Sequence, residues 1–216
     1  MKYKTIIFDL DGTLLDTLED LCDSTNFALS QFGYPERKLS EVRAFVGNGI
    51  AKLIERALPN GLDNPDYNAV LNEFKAHYAY NCNNKTKAYP GIYDVLDALK
   101  QHDIKMAVVS NKSDSAVKEL CKQYFNEYFS IAVGERNGIQ RKPAPDAVLA
   151  AMNALGAKKE TTVYIGDSEV DVETARNAGI DLIAVSWGFR DRELLEKYGN
   201  FPIADSPEKI AHMILF

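Results

Sequence analysis

Residues 5–13, T-I-I-F-D-L-D-G-T, join an apolar run to two acidic residues. A run of apolar and β-branched residues is typical of a strand buried inside a parallel sheet. Asp9 and Asp11 follow this run directly, at the end of the strand where open α/β sheets place their ligand sites. Because Gly12 allows a sharp turn, we expect the two carboxylates to converge. Converging carboxylates need a positive partner, so the segment predicts a site for a hard divalent cation, Mg²⁺. Surface turn residues are the alternative, and the apolar strand disfavours it.

Composition restricts the class of protein. Hydrophobic residues make up 46% of the 216-residue chain, which is enough for a core and a smaller second unit. A net charge of -6 argues against nucleic acid or a membrane surface as partner, since no basic field attracts polyanions. The three cysteines are widely spaced and form no C-x-x-C pair, as expected of reduced thiols. Without a signal-peptide or membrane-spanning pattern, we expect a soluble, cytoplasmic protein. The sequence leaves it undetermined whether the protein is a monomer or a homodimer.

The spacing of apolar residues changes near residue 88. Before it, helical spacing predicts helices at 17–32, 49–58 and 65–81, with no strand. After it, strands predicted at 105–110, 128–133, 161–165, 181–186 and 201–204 alternate with helices. Such alternation indicates a parallel sheet with helices on both faces.

The first two predicted strands lie far apart in the chain. Their connection exceeds the length that a βαβ unit needs by roughly seventy residues, and the excess coincides with the helical block. We therefore predict an α/β fold with a doubly wound parallel sheet, a Rossmann-like core formed by residues 1–14 and 88–216. Residues 15–87 are predicted to form an inserted, all-helical cap domain.

Further polar residues follow strands or open helices. Ser110 and Asn111 end the second strand, Lys142 lies in R-K-P-A-P, and Asp167 and Asp171 lie in G-D-S-E-V-D. Because the carboxyl ends of parallel strands meet at one edge of a sheet, we expect these residues to lie near the first two aspartates. Taken singly, each has a structural alternative, such as a helix N-cap for the serine or a solvated surface position for the lysine.

Counting charges indicates what the cleft binds. Four aspartates face one lysine, Lys142, so the cleft cannot accept an anion unaided. Mg²⁺ on Asp9, Asp167 and the backbone carbonyl of Asp11 brings the balance to roughly -1, which is compatible with a phosphate ligand. Asp9 is then placed to attack phosphorus, while Ser110 and backbone N–H groups hold the phosphoryl oxygens. Asp11 is suited to protonate the leaving alkoxide and then to activate water.

Four segments, in chain order, resemble the four motifs of the haloacid dehalogenase superfamily. They are D-L-D-G-T, the strand-ending Ser110, Lys142 in K-P-x-P, and G-D-S-x-x-D. The helical insert falls where that superfamily carries its cap. Within it, D-G-T-L-x-D-T at 11–17 and V-G-N-G at 46–49 are most similar to phosphoglycolate-phosphatase-type hydrolases.

The resemblance implies a Mg²⁺-dependent phosphomonoester hydrolase that acts on a small phosphorylated metabolite, with phosphoglycolate the leading candidate. It implies an aspartyl-phosphate intermediate on Asp9. The candidate residues are Asp9 and Asp11 for catalysis, Asp9, Asp11, Asp167 and Asp171 for the metal, and Thr13, Ser110, Asn111, Lys142, Arg43 and Asn48 for the substrate.

Other functions stay open from the sequence. A sugar phosphomutase is disfavoured because such enzymes carry a histidine soon after D-G-x, and this chain has none before His77. A hydrolytic dehalogenase is disfavoured because its second aspartate is normally replaced, and Asp11 is present. A pyrophosphatase or nucleotidase would present the same phosphate to the core. A phospho-accepting signalling module is the non-enzymatic alternative, although receiver-type modules lack such an insert. Arg190 and Arg192, beyond a strand end, are expected to be solvated.

Overall fold

The computed structural model describes residues 1–216. The chain forms two compact units. The α/β unit comprises Met1–Leu15 and Ala88–Phe216, and the helical unit comprises Asp16–Lys87. No helix combines the length and apolar character required to cross a membrane.

The strands and helices follow one another along the whole chain. The strands are β1 (Thr5–Phe8), β2 (Leu15–Asp16), β3 (Lys87–Ala88), β4 (Lys105–Ser113), β5 (Ile131–Glu135), β6 (Thr162–Gly166), β7 (Asp181–Val185) and β8 (Ile203–Ala204). The helices are α1 (Leu18–Gln31), α2 (Leu39–Phe45), α3 (Ile50–Ala57), α4 (Tyr67–Asn81), α5 (Ile92–Gln101), α6 (Asp114–Phe125), α7 (Asp146–Leu155), α8 (Glu169–Ala178), α9 (Arg192–Leu195) and α10 (Pro207–Leu215). Short 3₁₀ helices cover Gly61–Asp63, Lys159–Thr161 and Glu196–Tyr198.

Six strands form one sheet in the order β5-β4-β1-β6-β7-β8, and all neighbouring strands run parallel. The predicted doubly wound parallel sheet is confirmed. The strand β1 lies inside it, with Thr5 opposite Lys105 on one side and Thr162 on the other. A strand in this position has no solvent-facing side, which explains why its sequence is a continuous apolar run.

The side chains of β1 alternate between two apolar clusters, one on each face of the sheet. Ile6 and Phe8 pack into the cluster that includes side chains of α5, α6 and α10. Ile7 packs into the cluster that includes side chains of α7 and α8. Burying each large apolar side chain contributes about 2 kcal/mol, so three adjacent residues fix β1 between the two helical layers.

The chain changes direction across the sheet at β1. The connection from β1 leads to β4 on one side, whereas β6, its other neighbour, leads onward to β7. Ligands of open α/β sheets bind in the crevice at the carboxyl ends of two such strands. Asp9 directly follows β1 and Asp167 directly follows β6, so both lie at this crevice.

The helical unit packs α1, α2, α3 and α4 around buried apolar side chains, among them Leu29, Val42, Ile54 and Phe74. It differs from the predicted all-helical block in one respect, because β2 and β3 pair as a two-stranded ribbon. Each of these strands has only two residues, too few to leave an apolar pattern in the sequence.

Two helices and several strand boundaries also differ from prediction, since β4 extends to Ser113 and β8 begins at Ile203. The helix α2 was not predicted, although Glu41 accepts a hydrogen bond from the Lys38 backbone N–H at 2.8 Å, a helix-starting contact. The four-residue α9 was not predicted either. The strand β5 begins at Ile131, later than expected, because the preceding Phe129 packs edge-on against the ring of Phe125 with centroids 5.7 Å apart. Aromatic residues favour strands, which explains the early predicted start.

Candidate active site

The buried charged residues of the α/β unit gather at the carboxyl edge of its sheet. Asp9 is 7% exposed, Lys142 4% and Asp167 1%. Charged groups this deeply buried are unfavourable unless they pair or bind a cation. Their contacts therefore indicate what the site is built to hold.

Lys142 forms the centre of the cluster. Its Nζ lies 2.9 Å from Asp9 Oδ1 and 2.7 Å from Asp171 Oδ1, and it donates to the Tyr164 hydroxyl at 3.0 Å. The lysine backbone is held by Asn111, whose Oδ1 accepts from the Lys142 N–H at 2.8 Å and whose Nδ2 donates to the Lys142 carbonyl at 3.0 Å. Side chain and backbone are thus both fixed, which places the ammonium beside Asp9.

Asp171 is surrounded by donors. Its Oδ1 accepts hydrogen bonds from Lys142 Nζ and from the Tyr164 hydroxyl, the latter at 3.1 Å. Its Oδ2 accepts from the backbone N–H groups of Asp167 and Ser168 at 3.2 and 3.1 Å and from the Ser168 hydroxyl at 2.6 Å. Both carboxylate oxygens are therefore engaged by the protein, and Asp171 ties the start of α8 to the lysine.

Asp167 is enclosed by backbone. Its Oδ2 accepts from the Phe189 N–H at 2.6 Å, and its Oδ1 accepts from the Thr13 hydroxyl at 3.3 Å. A Cβ added at Gly12, where φ is +87°, would lie 2.4 Å from Asp167 Oδ2, and one added at Gly188 would lie 2.5 Å from the same atom. Only glycine fits at both positions, because any side chain would displace the carboxylate.

Asp11 is held by two residues of β4. Lys112 Nζ lies 3.1 Å from Asp11 Oδ1, and Ser110 Oγ donates to Asp11 Oδ2 at 3.3 Å. Ser110 Oγ in turn accepts from the Lys112 backbone N–H at 3.2 Å. The Lys112 side chain is only 5% exposed. The sequence-based count of a single lysine in the cleft was therefore wrong, because a second one pairs with Asp11.

Carboxylates still outnumber cations in the site, and the pKa values reflect this. Burial, together with the charge of Asp171, raises the pKa of Asp9 well above its ordinary value. The same two causes raise the pKa of Asp167 to about 7. Burial lowers the pKa of Lys142, but the charges of Asp171 and Asp9 outweigh it and leave that pKa well above its usual value. The cluster is therefore short of positive charge.

Oxygen atoms of Asp9, Asp167 and Asp171 lie within 4.8 Å of one another. Carboxylate oxygens at such spacing are the donor set of a hard divalent cation. The donors and the missing positive charge both fit Mg²⁺. Of the three, Asp171 is the one whose oxygens are already bonded to protein donors.

The structure brings most of the predicted site residues together. Eight of them lie in two bonded groups at this edge of the sheet. One group comprises Asp9, Thr13, Asn111, Lys142, Asp167 and Asp171. The other joins Asp11 and Ser110 through Lys112. Arg43 lies in α2 and Asn48 in the loop before α3, both in the helical unit. The buried Oδ1 of Asn48 has no hydrogen-bond partner. Substrate contacts by these two residues stay a prediction.

Sequence reasoning missed several contributors. The sequence places Lys112 in S-N-K at a strand end, but it does not show that the side chain points towards Asp11. Phe189 contributes a backbone N–H, which leaves no signature, although the adjacent Gly188 hinted at a close approach. The expectation that Arg190 is solvated was wrong, because this residue is 6% exposed and its Nε lies 2.7 Å from Glu169 Oε2.

The chain belongs to the haloacid dehalogenase-like hydrolases, since residues 6–185 match the model of that family. The resemblance of the four motifs is thereby confirmed. A phosphoglycolate phosphatase of Pseudomonas syringae pv. syringae is 36% identical over 192 residues, which span 86% of this chain and 70% of the relative. One from Aquifex aeolicus is 33% identical and covers 86% of each chain. Within the family, the protein is an enzyme of the phosphatase class.

Solved structures agree with this placement. A protein from Lactobacillus delbrueckii subsp. bulgaricus, provisionally assigned as a phosphoglycolate phosphatase, is 40% identical, with a TM-score of 0.96 over 99% of both chains. CbbY from Rhodobacter sphaeroides, in complex with xylulose 1,5-bisphosphate, is 25% identical, with a TM-score of 0.74 over 95% of both chains.

Proposed function

We propose that the protein is a Mg²⁺-dependent phosphatase that hydrolyses phosphoglycolate through a phosphorylated Asp9. The observation that carries the proposal is the convergence of Asp9, Asp11, Lys142 and Asp167 at one sheet edge, with Lys142 Nζ 2.9 Å from Asp9. The choice of substrate is supported by the relatives from Pseudomonas syringae and Aquifex aeolicus, which are phosphoglycolate phosphatases. We place the enzyme in the cytoplasm, in keeping with its three free cysteines.

The carboxylates of Asp9 and Asp167 and the backbone carbonyl of Asp11 would hold the metal. When bound, Mg²⁺ supplies positive charge that neutralises the carboxylates and the phosphate. We assign Asp171 to a different task, the fixing of Lys142, because its two oxygens already accept five hydrogen bonds. The metal ligands predicted from the sequence are thereby reduced from four residues to Asp9, Asp11 and Asp167.

Asp9 is placed to act as the nucleophile. Its Oδ1 accepts a hydrogen bond from the Leu10 N–H at 2.7 Å and pairs with Lys142 Nζ at 2.9 Å. These two contacts orient the carboxylate and leave Oδ2 available to attack phosphorus. A bond forms between Oδ2 and phosphorus while the bond from phosphorus to the ester oxygen breaks. Lys142 holds a phosphoryl oxygen during this transfer.

Asp11 serves both halves of the reaction. It first donates a proton to the departing ester oxygen, and the resulting carboxylate then removes a proton from the water that hydrolyses the aspartyl phosphate. The Ser110 hydroxyl and Lys112 ammonium, at 3.3 and 3.1 Å, keep its carboxyl group in one orientation. A fixed orientation matters because proton transfer requires the donor to stay within hydrogen-bond reach of the reacting oxygen.

A panel of phosphate esters tests the proposal. Free phosphate release with Mg²⁺ is measured for phosphoglycolate, nucleoside monophosphates, pyrophosphate, sugar phosphates and sugar bisphosphates. We expect phosphoglycolate to have the highest kcat/KM and chelation of Mg²⁺ to abolish turnover. If another class of phosphate ester has a higher kcat/KM, that class is the substrate and the assignment of phosphoglycolate is wrong. Release of an isomerised sugar phosphate in place of free phosphate would identify a mutase.

A further inference from the structure

An ion pair that the phosphoryl-transfer steps do not use lies beside the candidate metal ligand Asp167. Arg190 is 6% exposed, and its Nε and Nη2 donate to the two carboxylate oxygens of Glu169 at 2.7 and 3.1 Å. A two-point contact between a guanidinium and a carboxylate fixes geometry as well as charge. Taking a charge out of water is unfavourable, so a buried pair is weak evidence for stability and its position calls for an explanation.

The pair closes a small ring of contacts around Asp167. Glu169 follows Asp167 by two residues, at the start of α8, and Arg190 follows Phe189 directly. The Phe189 N–H donates to Asp167 Oδ2 at 2.6 Å. The hydrogen bond and the ion pair therefore join the same two segments at adjacent points, and the ion pair holds the N–H at the carboxylate.

Gly188 shows how closely the second of these segments lies against the site. A Cβ added at this position would lie 2.4 Å from Asp167 Cβ and 2.5 Å from Asp167 Oδ2. Because glycine has no side chain, it cannot anchor the segment itself, and its neighbours have to do so. Trp187 lies on one side, where its Nε1 donates to the Thr13 carbonyl at 3.1 Å, and Arg190 lies on the other.

We propose that Glu169 and Arg190 are positioning residues for the metal site, because their ion pair holds the Phe189 N–H against Asp167 and so keeps this carboxylate in the orientation that binds Mg²⁺. The inference rests on the proposed function, since it takes Asp167 as a metal ligand. Both residues act through the backbone N–H. Removal of groups that orient a metal ligand typically weakens metal binding by about ten- to hundredfold.

The opposite charges of the pair suit a site that attracts a cation. Burial and the charge of Asp171 raise the pKa of Asp167, and the charge of Arg190 opposes this rise, which shows that the guanidinium acts on the metal ligand. An unpaired arginine at this distance would repel Mg²⁺. Glu169 neutralises it, so the pair can fix the Phe189 N–H without opposing the metal.

The test removes the pair at constant net charge, in a double variant that combines Glu169→Gln with Arg190→Met. Urea denaturation at a series of Mg²⁺ concentrations gives the Kd of Mg²⁺ from the rise in stability, without any turnover. We expect the Kd of the double variant to be about tenfold or more above that of the wild type. A merely structural ion pair would change the stability of the metal-free protein and leave the Kd unchanged.

The two single variants show whether the residues act together. The increase in Kd of the double variant should be smaller than the product of the two single increases, because either change alone breaks the contact. The charge effects of the single variants oppose each other in this product, since one change removes a negative charge and the other a positive one.

Two further variants serve as control and as a milder change. Arg192 and Glu196 form an exposed pair with Nη1 and Oε1 3.3 Å apart, and the combination of Glu196→Gln with Arg192→Met should leave the Kd unchanged. Arg190→Lys keeps the charge but loses the two-point contact, so it should raise the Kd of Mg²⁺. If the double variant does not fold, this milder variant decides, and an unchanged Kd overturns the proposal.

The outcomes separate the two proposals. If Mg²⁺ does not stabilise the wild-type protein, or stabilises Asp167→Asn equally well, the metal site of the proposed function fails. If Mg²⁺ binds through Asp167 and the Kd of the double variant rises by less than about tenfold, the positioning role is overturned while the proposed function stands. Single increases that multiply to the increase of the double variant would mean that the residues act independently, which also overturns it. An equal rise in the exposed control pair has the same consequence.

Discussion

Asp20 in the helical unit and Asp167 in the α/β unit are both 1% exposed, yet their surroundings are opposite. Asp20 accepts hydrogen bonds from the Lys85 N–H at 3.0 and 3.1 Å, from the Thr86 N–H at 2.9 Å and from the Thr86 hydroxyl at 2.8 Å. Asp167 accepts one short bond from a backbone N–H and a longer one from a hydroxyl. The charge of Asp171 acts on it and helps raise its pKa to about 7.

Burial alone therefore does not separate a structural carboxylate from a functional one. Asp20 has the donors that a carboxylate requires, and it ties α1 to the segment before β3. Asp167 lacks enough of them, so it destabilises the metal-free protein and favours binding of a cation. Asp171, which accepts five hydrogen bonds, resembles Asp20 although it lies inside the site. The balance of donors and neighbouring charges distinguishes the two kinds of residue.

The strongest way to test this distinction is to remove the nucleophile. We expect Asp9→Asn to lower kcat by about a thousandfold or more, because an amide cannot accept the phosphoryl group. Steady-state phosphate release from phosphoglycolate measures the loss. Since the change also removes one of several crowded carboxylates, the melting temperature without Mg²⁺ should stay unchanged or rise. Residual activity of more than a few per cent of the wild-type rate would contradict the assignment of Asp9 as the nucleophile.

Asp11→Ala separates the two steps in which we place this residue. With an ordinary alkyl phosphate both steps need Asp11, so the rate should fall at least about a hundredfold. With an activated ester, whose leaving group needs no proton, attack by Asp9 should persist while hydrolysis of the aspartyl phosphate slows. Rapid mixing should then show a burst of one leaving group per active site. Equal losses on both esters without a burst, at unchanged Mg²⁺ affinity, would exclude Asp11 as the acid and base.

A substitution of Asp20 should lower the stability of the protein and leave the catalytic steps unaffected. Asp20→Ala removes the acceptor of the buried Thr86 N–H and of the half-buried Lys85 N–H, whereas the Thr86 hydroxyl keeps the Cys82 carbonyl as an acceptor. The free energy of unfolding should fall by about 2 kcal/mol. Urea denaturation without Mg²⁺ measures the change. Asp167→Asn is the matched control, for which we expect equal or higher stability. A comparable loss of stability in both variants would contradict the distinction between Asp20 as a structural carboxylate and Asp167 as a functional one.

The smallest expected effect is a pH dependence. Because the pKa of Asp167 is raised to about 7, the folded metal-free protein binds this proton more tightly than the unfolded chain, whose ordinary aspartate pKa is about 4. The contribution of Asp167 to stability is therefore fully present below about pH 4 and is lost as the pH rises through about 7. Denaturation of metal-free protein between pH 5 and pH 8 should show this decline. Asp167→Asn should show a shallower one, and identical slopes would contradict the raised pKa.

The fold was largely predictable because it follows from local patterns. Buried strands are continuous apolar runs, and amphipathic helices have a regular apolar stripe, so α1 was predicted at 17–32 and observed at Leu18–Gln31. The ribbon of β2 and β3 and the four-residue α9 are short elements held by their surroundings. Elements of this length have too few residues to produce a periodic signal.

The site was predictable as a set of residues but not as a set of contacts. Asp9, Lys142 and Asp167 are recognisable because their side chains carry the chemistry. The direction of Lys112 and the N–H of Phe189 depend on how loops meet, and backbone donors are alike at every position. Asn111 illustrates the gap, since it was predicted to bind substrate and is bonded to the backbone of Lys142.

The central place of β1 has a consequence for synthesis of the chain. This strand leaves the ribosome long before its two partners, which are residues 105–108 and 162–165. At the usual rate of synthesis, β1 waits roughly ten seconds or more for its second neighbour, with apolar side chains and strand edges uncovered. The contiguous helical unit, Asp16–Lys87, is made completely in that interval. A nascent chain that stops before Phe189 carries the nucleophile on an unprotected strand and lacks the backbone donor to Asp167. Chaperones should therefore engage the amino-terminal segment until the last third of the protein has emerged.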